Sequence, residues 1–448
     1  MRDFSNKKIT VVGLARSGMA AANLLHSRGA DVTVTDMKPE AALREFSERL
    51  SSGVKKALGS HPDELFTKAD LVIISPGVPL SAPPLVKAKA AGVEIIGELE
   101  LAYRLAESPF IAITGTNGKS TTTTLTGLMI EASGMKAYVG GNLGNALTDE
   151  PERLAGQDYI VAEVSSFQLE AIRDFRPKVS AVLNITQDHL DRYHSMDEYA
   201  AAKAAVFANQ KDADVLVLNA DDQPTLALKD KAKCRVVLFS RKTQPAGGVY
   251  VKDGFVVSEV GGRAERVIAA DDIRIKGVHN LENALAAAAV SVAAGAKADA
   301  VAETLRTFPG LEHRLEFVRE LDGVTYINDS KGTNVGAVEK SIESFNEPII
   351  LIAGGLDKHS DFAPLAPLVR EHVKKLVLIG KAADVIDEAI GKATDTVRAA
   401  TLEDAVNKSR EAAKSGDVVL LSPACASFDM FKDFEDRGRQ FKQIVRNL

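Results

Sequence analysis

The sequence predicts an α/β chain of three domains, each built on a largely parallel sheet covered by helices. Three observations carry that prediction. At roughly 150 residues per domain, a chain of 448 residues makes about three. A composition of 45% hydrophobic and 26% charged residues is that of a soluble globular protein with apolar side chains enough for several cores. Short β-branched runs ending in a small or polar residue alternate with Ala- and Leu-rich stretches, the order that builds parallel sheets.

The runs fall at 9–12, 32–35, 71–74, 110–114, 159–164, 179–184, 215–219, 349–353, 376–379 and 418–421. The first domain, residues 1–97, closes after a Pro-rich turn at 79–84 and a strand-like piece at 93–96. The second, 98–310, opens with a helix at 98–106, breaks at Ser108-Pro109 and ends at the punctuation Phe308-Pro309-Gly310. Within it, 247–270 alternates Val, Tyr and Phe with polar residues and Gly, which predicts a small antiparallel insertion. The third domain is 311–448, and no fixed-period repeat or low-complexity segment interrupts this order.

Composition excludes several function classes. Fifty-five Lys and Arg against 61 Asp and Glu leave a net charge of −6, so no basic surface is available for nucleic acid or an anionic membrane. No apolar stretch reaches the roughly 20 residues that span a bilayer, and Met1-Arg2-Asp3-Phe4 has no signal core behind it, so the chain reads as cytoplasmic. Cys234 and Cys425 are too far apart in sequence for a zinc ribbon, and two cysteines make no disulfide framework. Trp is absent and aromatic residues are sparse, which argues against a stacking platform for single strands.

The clearest chemistry lies at Phe110-Ile-Ala-Ile-Thr-Gly-Thr-Asn-Gly-Lys-Ser-Thr-Thr-Thr-Thr124, which reads as strand, glycine loop and helix start. Gly115 and Gly118 let backbone N–H groups turn toward phosphate oxygens, with Thr116 and Asn117 between them. Lys119 adds a point charge, Ser120 can reach a magnesium ion, and Thr121 starts a hydroxyl run that is a poor helix choice unless it caps or ligates. Ile113 stands where the common phosphate loop has its first Gly, so this loop is tighter. Glu163 and His189, each past a strand, are candidate metal ligands. A strand-end ion pair for Glu163 and a core or capping role for His189 stay open. Near the amino terminus, Gly13-Leu-Ala-Arg-Ser-Gly18 followed by Asp36 is a weak dinucleotide fingerprint, with Ala15 in place of its second Gly.

Taken in order, these segments resemble the Mur ligase family, the ATP-dependent amide-forming enzymes of peptidoglycan precursor synthesis. The resemblance rests on the GTNGKST loop, Glu163-Val-Ser-Ser166, Asn184-Ile-Thr-Gln-Asp-His-Leu-Asp191, Lys203, Gly277-Val-His-Asn-Leu-Glu-Asn283, Glu312-His-Arg314, Asn328-Asp-Ser-Lys-Gly-Thr-Asn334, Gly354-Gly355 and Leu421-Ser-Pro-Ala-Cys-Ala-Ser-Phe428. The amino-terminal Val11-Val-Gly-Leu-Ala-Arg-Ser-Gly18 and Val72-Ile-Ile-Ser-Pro-Gly77 are similar to the branch that adds D-glutamate.

The resemblance implies a Rossmann-like amino-terminal domain, a P-loop ATPase-like central domain with a parallel sheet plus a small antiparallel sheet, and a Rossmann-like carboxy-terminal domain. It implies UDP-N-acetylmuramoyl-L-alanine, D-glutamate and ATP as partners, two Mg²⁺ sites, and a monomer without nucleic-acid binding or membrane insertion. By the same resemblance, Gly13, Ser17, Gly18, Asp36 and Ser75 meet the UDP substrate, with His189, and Asn142 touches both that substrate and ATP. Asn283 sits at adenine, Asp329 at ribose and Arg314 at the γ-phosphate. Ser120, Glu163 and His189 hold magnesium, with Lys203 if it carries a carbamate as an N6-carboxylysine. Lys331, Thr333, Lys358, Ser427 and Phe428 receive the amino acid. From the residues alone, Lys203 reads as a solvated helix lysine and Cys425 as a small buried residue.

Overall fold

The computed structural model describes residues 4–143, 146–149, 151–188, 192–357 and 360–448. His189 and Lys358 lie outside them. The described chain forms two compact units. One comprises residues up to Ile185, His189–Asp272 and Asn283–Arg306; the other comprises Thr186–Asp188, Ile273–Glu282 and Thr307–Leu448.

The first unit holds two sheets. One contains β1 (Lys8–Val12), β2 (Asp31–Asp36), β3 (Lys55–Leu58), β4 (Leu71–Ile74) and β5 (Ile95–Gly97) in the parallel order β3-β2-β1-β4-β5. The chain builds outward from β1 to β3, then crosses to β4 on the other side. Val12 therefore pairs with Thr35 on one flank and Ile74 on the other. The open crevice of such a sheet lies beyond the carboxyl ends of these middle strands.

The other sheet has nine strands: β6 (Phe110–Thr114), β7 (Ala137–Gly141), β8 (Tyr159–Glu163), β9 (Val179–Val182), β10 (Val215–Asn219), β11 (Arg235–Ser240), β12 (Val249–Lys252), β13 (Phe255–Ser258) and β14 (Glu265–Ala269). Their order is β14-β13-β12-β11-β10-β9-β6-β8-β7. The expected antiparallel segment is present, but it is continuous with the main sheet. Phe239 and Ser240 pair in parallel with Val249 and Tyr250, and only β12–β13–β14 run antiparallel. Gly248 permits that junction, since a Cβ there would fall 2.2 Å from the Leu238 carbonyl oxygen.

Two carboxylates on the helix Glu98–Leu105 tie it to this sheet's loops. Glu100 accepts the backbone N–H groups of Arg173, Asp174 and Phe175, and Glu98 accepts both the N–H and the hydroxyl of Thr148. The aromatic core beside it packs edge to face, with Phe110 and Phe175 centroids 5.5 Å apart.

The second unit carries β15 (Glu316–Leu321), β16 (Val324–Asn328), β17 (Ile349–Gly354), β18 (Val373–Ile379), β19 (Asp395–Arg398) and β20 (Val418–Leu421), ordered β15-β16-β20-β17-β18-β19. All pairs are parallel except the β15–β16 hairpin. Its two-residue turn is Asp322-Gly323, with φ of 53° and 75°, the left-handed pair that a tight hairpin requires. Strands β17 and β20 are buried along their whole length, which is why each reads as an unbroken apolar run.

Candidate active site

In the first sheet the expected residues meet around β1. Gly13, with φ 93°, turns the chain directly after the strand. The Ser75 hydroxyl, past β4, donates to the Gly13 carbonyl at 2.9 Å. Asp36, ending β2, accepts from the N–H groups of Leu14 at 2.8 Å and Lys38 at 2.9 Å. Gly18 lies in the helix Arg16–Ser27, where a Cβ would come within 1.9 Å of the Gly13 oxygen; Ser17 beside it is half-buried. The glycine turn is thus pinned by one hydroxyl and one carboxylate at the carboxyl ends of the middle strands, the edge where open α/β sheets bind ligands.

The phosphate loop lies between β6 and the helix Lys119–Ala132, whose amino-terminal cap is Gly118 in the left-handed conformation. Glycine is required twice. A Cβ on Gly115 would stand 2.9 Å from that of Leu183, and one on Gly118 would stand 2.2 Å from Asn283 Oδ1. Asn283, on the helix Val278–Ala293, is thus brought against the loop. Asn184 fixes the loop from the end of β9. It accepts the N–H of Asn117 at 2.8 Å, donates to the Asn117 carbonyl at 3.1 Å, and its own carbonyl accepts from Thr116 at 3.0 Å.

Lys119 Nζ donates to the carbonyls of Gly115 at 2.9 Å and Thr116 at 2.7 Å. Lys203, expected from residues alone to be solvated, is 1% exposed. Its ammonium donates to the same Gly115 carbonyl at 2.8 Å and lies 4.3 Å from the Tyr199 ring centroid. Two cations thus converge on one loop carbonyl.

Glu163 ends β8 and is 3% exposed. One of its oxygens accepts from Asn142 Nδ2 at 2.7 Å; the other is buried without a partner, as are the hydroxyls of Thr114, Thr121, Thr122 and Thr123. Buried oxygens left without donors are costly. A divalent cation, which takes carboxylate and hydroxyl oxygens, fits this donor set of Glu163 and the 8%-exposed Ser120.

The second unit gathers its residues past β16 and β20. Asp329, expected at the ribose, is 3% exposed. Its Oδ2 accepts the hydroxyls of Ser341 and Ser422, each at 2.7 Å, and burial pushes its carboxyl above the usual range. Arg314 lies between His313 and Leu315, both in the left-handed region at φ 65° and 42°. Its charge reaches His279, whose pKa falls to about 3, first through burial and then through Arg314 and Lys340. The imidazole is therefore neutral beside these two cations, of which Lys340 also pairs with Glu343 at 2.9 Å.

Lys331 places its ammonium 3.9 Å from the Phe434 ring centroid, Ser427 is 2% exposed, and Phe428 projects at 67% exposure. Thr333 donates its N–H to the Lys331 carbonyl. Among the described residues, Glu312, His313 and Glu316 group closely enough for a metal, but the Lys442 ammonium already bonds both carboxylates.

Sequence reasoning missed Asn184 as a loop anchor, although an Asn directly after a strand beside β6 is a signal that could have found it. It also missed Tyr199, Ser341, Phe434 and the buried Arg437. Phe434 and Arg437 make contacts about a hundred residues away along the chain, which no local pattern reports.

Family models match the chain in three successive segments: the Mur ligase MurD-like N-terminal domain at residues 7–97, the Mur ligase middle domain at 113–291, and the Mur ligase glutamate ligase domain at 313–425. The chain is 51% identical over 444 residues to the UDP-N-acetylmuramoylalanine--D-glutamate ligase of Geotalea uraniireducens, covering 99% of this chain and 98% of the relative. It is 49% identical to the enzyme of the same name from Pelotomaculum thermopropionicum, over 100% of this chain and 99% of that one. Among solved structures, a pseudomurein peptide ligase type C from Methanothermus fervidus shares the fold at TM-score 0.63 and 21% identity, covering 99% of this chain and 100% of that one. The UDP-N-acetylmuramate-alanine ligase of Thermotoga maritima does so at TM-score 0.60 and 21% identity, with the same coverage. Near-half identity along the whole length places the chain in the Mur ligase family.

Proposed function

We propose that this protein joins D-glutamate to UDP-N-acetylmuramoyl-L-alanine at the expense of ATP, a cytoplasmic step of peptidoglycan synthesis. The observation that carries the reading is the 51% identity, over nearly all of both chains, to a relative named for that reaction. The substrate carboxylate attacks the γ-phosphorus and ADP leaves, which gives an acyl phosphate. The deprotonated amine of D-glutamate then adds to the acyl carbon, and the tetrahedral intermediate expels inorganic phosphate as the amide forms. Carboxylate oxygen is a poor leaving group, so phosphorylation supplies the electrophile.

Residues 1–97 hold the UDP substrate, 98–310 the ATP and 311–448 the amino acid. The loop Gly115–Thr121 wraps the phosphates, with Asn142 beside it and Asn283 at the base. Lys119 stabilises charge on the transferring group, and Arg314, always charged and forked, is assigned to the γ-phosphate. Asp329 is assigned to the ribose. Ser120, Glu163 and His189 would hold magnesium at two sites, with Lys203, if it carries a carbamate, beside the second; the ion would supply charge neutralisation. Lys331, Thr333, Lys358, Ser427 and Phe428 read the two carboxylates of the amino acid. The enzyme acts as a monomer.

Phosphate release tests this directly. With ATP, Mg²⁺ and UDP-N-acetylmuramoyl-L-alanine, turnover should require D-glutamate; equal or greater turnover with L-alanine or L-glutamate would assign the chain to another Mur-type or folylpolyglutamate-type ligase. Tight NADH binding with no phosphate release in any mixture would instead favour an oxidoreductase using the Gly13 turn.

A further inference from the structure

Arg437 is the largest fully buried side chain among the described residues, at 0% exposure, one turn into the helix Phe434–Asn447. All of its hydrogen bonds go to neutral oxygens. Nε donates to the Ser330 hydroxyl at 2.9 Å, one terminal nitrogen to the Ser330 carbonyl at 2.8 Å and the other to the Cys425 carbonyl at 3.3 Å. The Ser330 hydroxyl in turn donates a hydrogen bond to the Phe434 carbonyl at 2.8 Å, which ties the loop to the start of the same helix. A Cβ on Gly355 would stand 3.3 Å from the second terminal nitrogen, so the turn after β17 also abuts the guanidinium.

These contacts join elements that nothing local connects. Ser330 follows β16, Cys425 follows β20 and Gly355 follows β17. Further backbone bonds close the ring: Ala424 N–H to Gly332 O at 2.8 Å, Leu356 N–H to Ala426 O at 2.8 Å and Ala426 N–H to Leu356 O at 3.1 Å. Lys331 and Thr333 ride on the first loop, Ser427 and Phe428 on the second.

Burying a cation that no carboxylate hydrogen-bonds is expensive; burial draws the Arg437 pKa down to about 10, although the charges of Asp429 and Asp329 offset part of that cost. An apolar side chain would fill the space at lower cost. The planar fork, which offers fixed donors to three oxygens at once, is what an apolar residue or a lysine cannot supply. We propose that Arg437 is a positioning residue, which locks the loop after β16 to the loop after β20 so that Lys331, Thr333 and Ser427 meet the dicarboxylic amino acid in one fixed geometry. This rests on the D-glutamate reading above.

The test compares Arg437→Lys, Arg437→Met and Ser330→Ala with wild type in the phosphate-release assay, varying each of the three substrates in turn, with the thermal unfolding midpoint recorded for each protein. The expected result is a KM for D-glutamate raised about tenfold or more in both Arg437 variants, the cost typical of a small misplacement. Ser330→Ala should show a smaller rise in the same direction, and KM for ATP and for the UDP substrate should stay within about twofold of wild type. Failure of Arg437→Lys to restore wild-type KM supports the fork over the charge. An unchanged D-glutamate KM in a folded Arg437→Met, or a uniform fall in kcat with all three KM values unmoved, overturns the proposal. If the Arg437 variants do not fold, Ser330→Ala decides it on the same ratio. A wild-type enzyme that prefers another amino acid overturns the functional reading instead, and the clamp is then judged on the KM for that amino acid.

Discussion

The phosphate loop of the first unit and the paired loops of the second solve the same problem, holding polar groups at the ends of parallel strands, by opposite means. The first is a contiguous stretch from Gly115 to Thr121 whose shape comes from two glycines, a helix start and a lysine bonded to carbonyls three and four residues back. The second has little shape of its own. Ser330 is held by a guanidinium 107 residues away and Asp329 by a hydroxyl 93 residues away. Local chemistry turns the first, with Asn184 and Lys203 bracing it from 67 and 88 residues away, whereas the second is held chiefly by distant side chains. Substitutions in the first should therefore damage catalysis before stability, and substitutions in the second should do the reverse or both.

The largest expected effect is at Lys119. Lys119→Ala should cut turnover by about a hundredfold or more, the worth of a charge aimed at a developing anion, with the unfolding midpoint little changed. Phosphate release within about tenfold of wild type would remove Lys119 from the chemistry. Next is Ser422→Ala, which strips one of two hydroxyls from buried Asp329. Urea unfolding should show a loss of about 1–3 kcal/mol, and a variant as stable as wild type would mean that the second unit's loop does not depend on this contact.

Gly118→Ala sharpens the contrast, because it strains the local loop without removing any functional group. An L-residue at φ 85° costs about 1–2 kcal/mol, and its Cβ would press on Asn283. ATP affinity measured by calorimetry should fall by about tenfold; unchanged affinity would show that the loop adjusts freely.

The smallest effect concerns Glu98, whose carboxyl is raised above 4.5 chiefly by burial. A raised folded pKa favours the protonated form, so this group adds stability below pH 4.5 that is lost as pH climbs through the folded value. Wild type should therefore lose ground to Glu98→Gln as pH rises from 4 to 7 in urea titrations. A difference that is flat, or that grows with pH, contradicts the assignment.

Much of this was legible in the chain. The apolar runs became strands because their residues are buried on both faces, and GTNGKST specified its own turn. Other elements hid for physical reasons. Strand β3 is Lys-Lys-Ala-Leu with exposed lysines, an edge strand whose charges mask its pairing. The β15–β16 hairpin carried its Asp322-Gly323 signal in plain view, yet β15 has no fully buried position and so lacks an apolar face to notice. Lys203 reads as a surface lysine because burial is invisible one residue at a time.

What the sequence by itself determined is whatever short-range forces encode: strand and helix periodicity, the glycine turns at Gly13, Gly115 and Gly118, and the order of motifs that marks the family. Only the tertiary structure decided that Lys203 and Lys119 share the Gly115 carbonyl, that Glu163 keeps one oxygen without a donor, and that Arg437 binds two loops. Those facts depend on which groups lose water together when sheets and helices pack. Desolvation is a property of the assembled neighbourhood rather than of any residue or its neighbours in the chain.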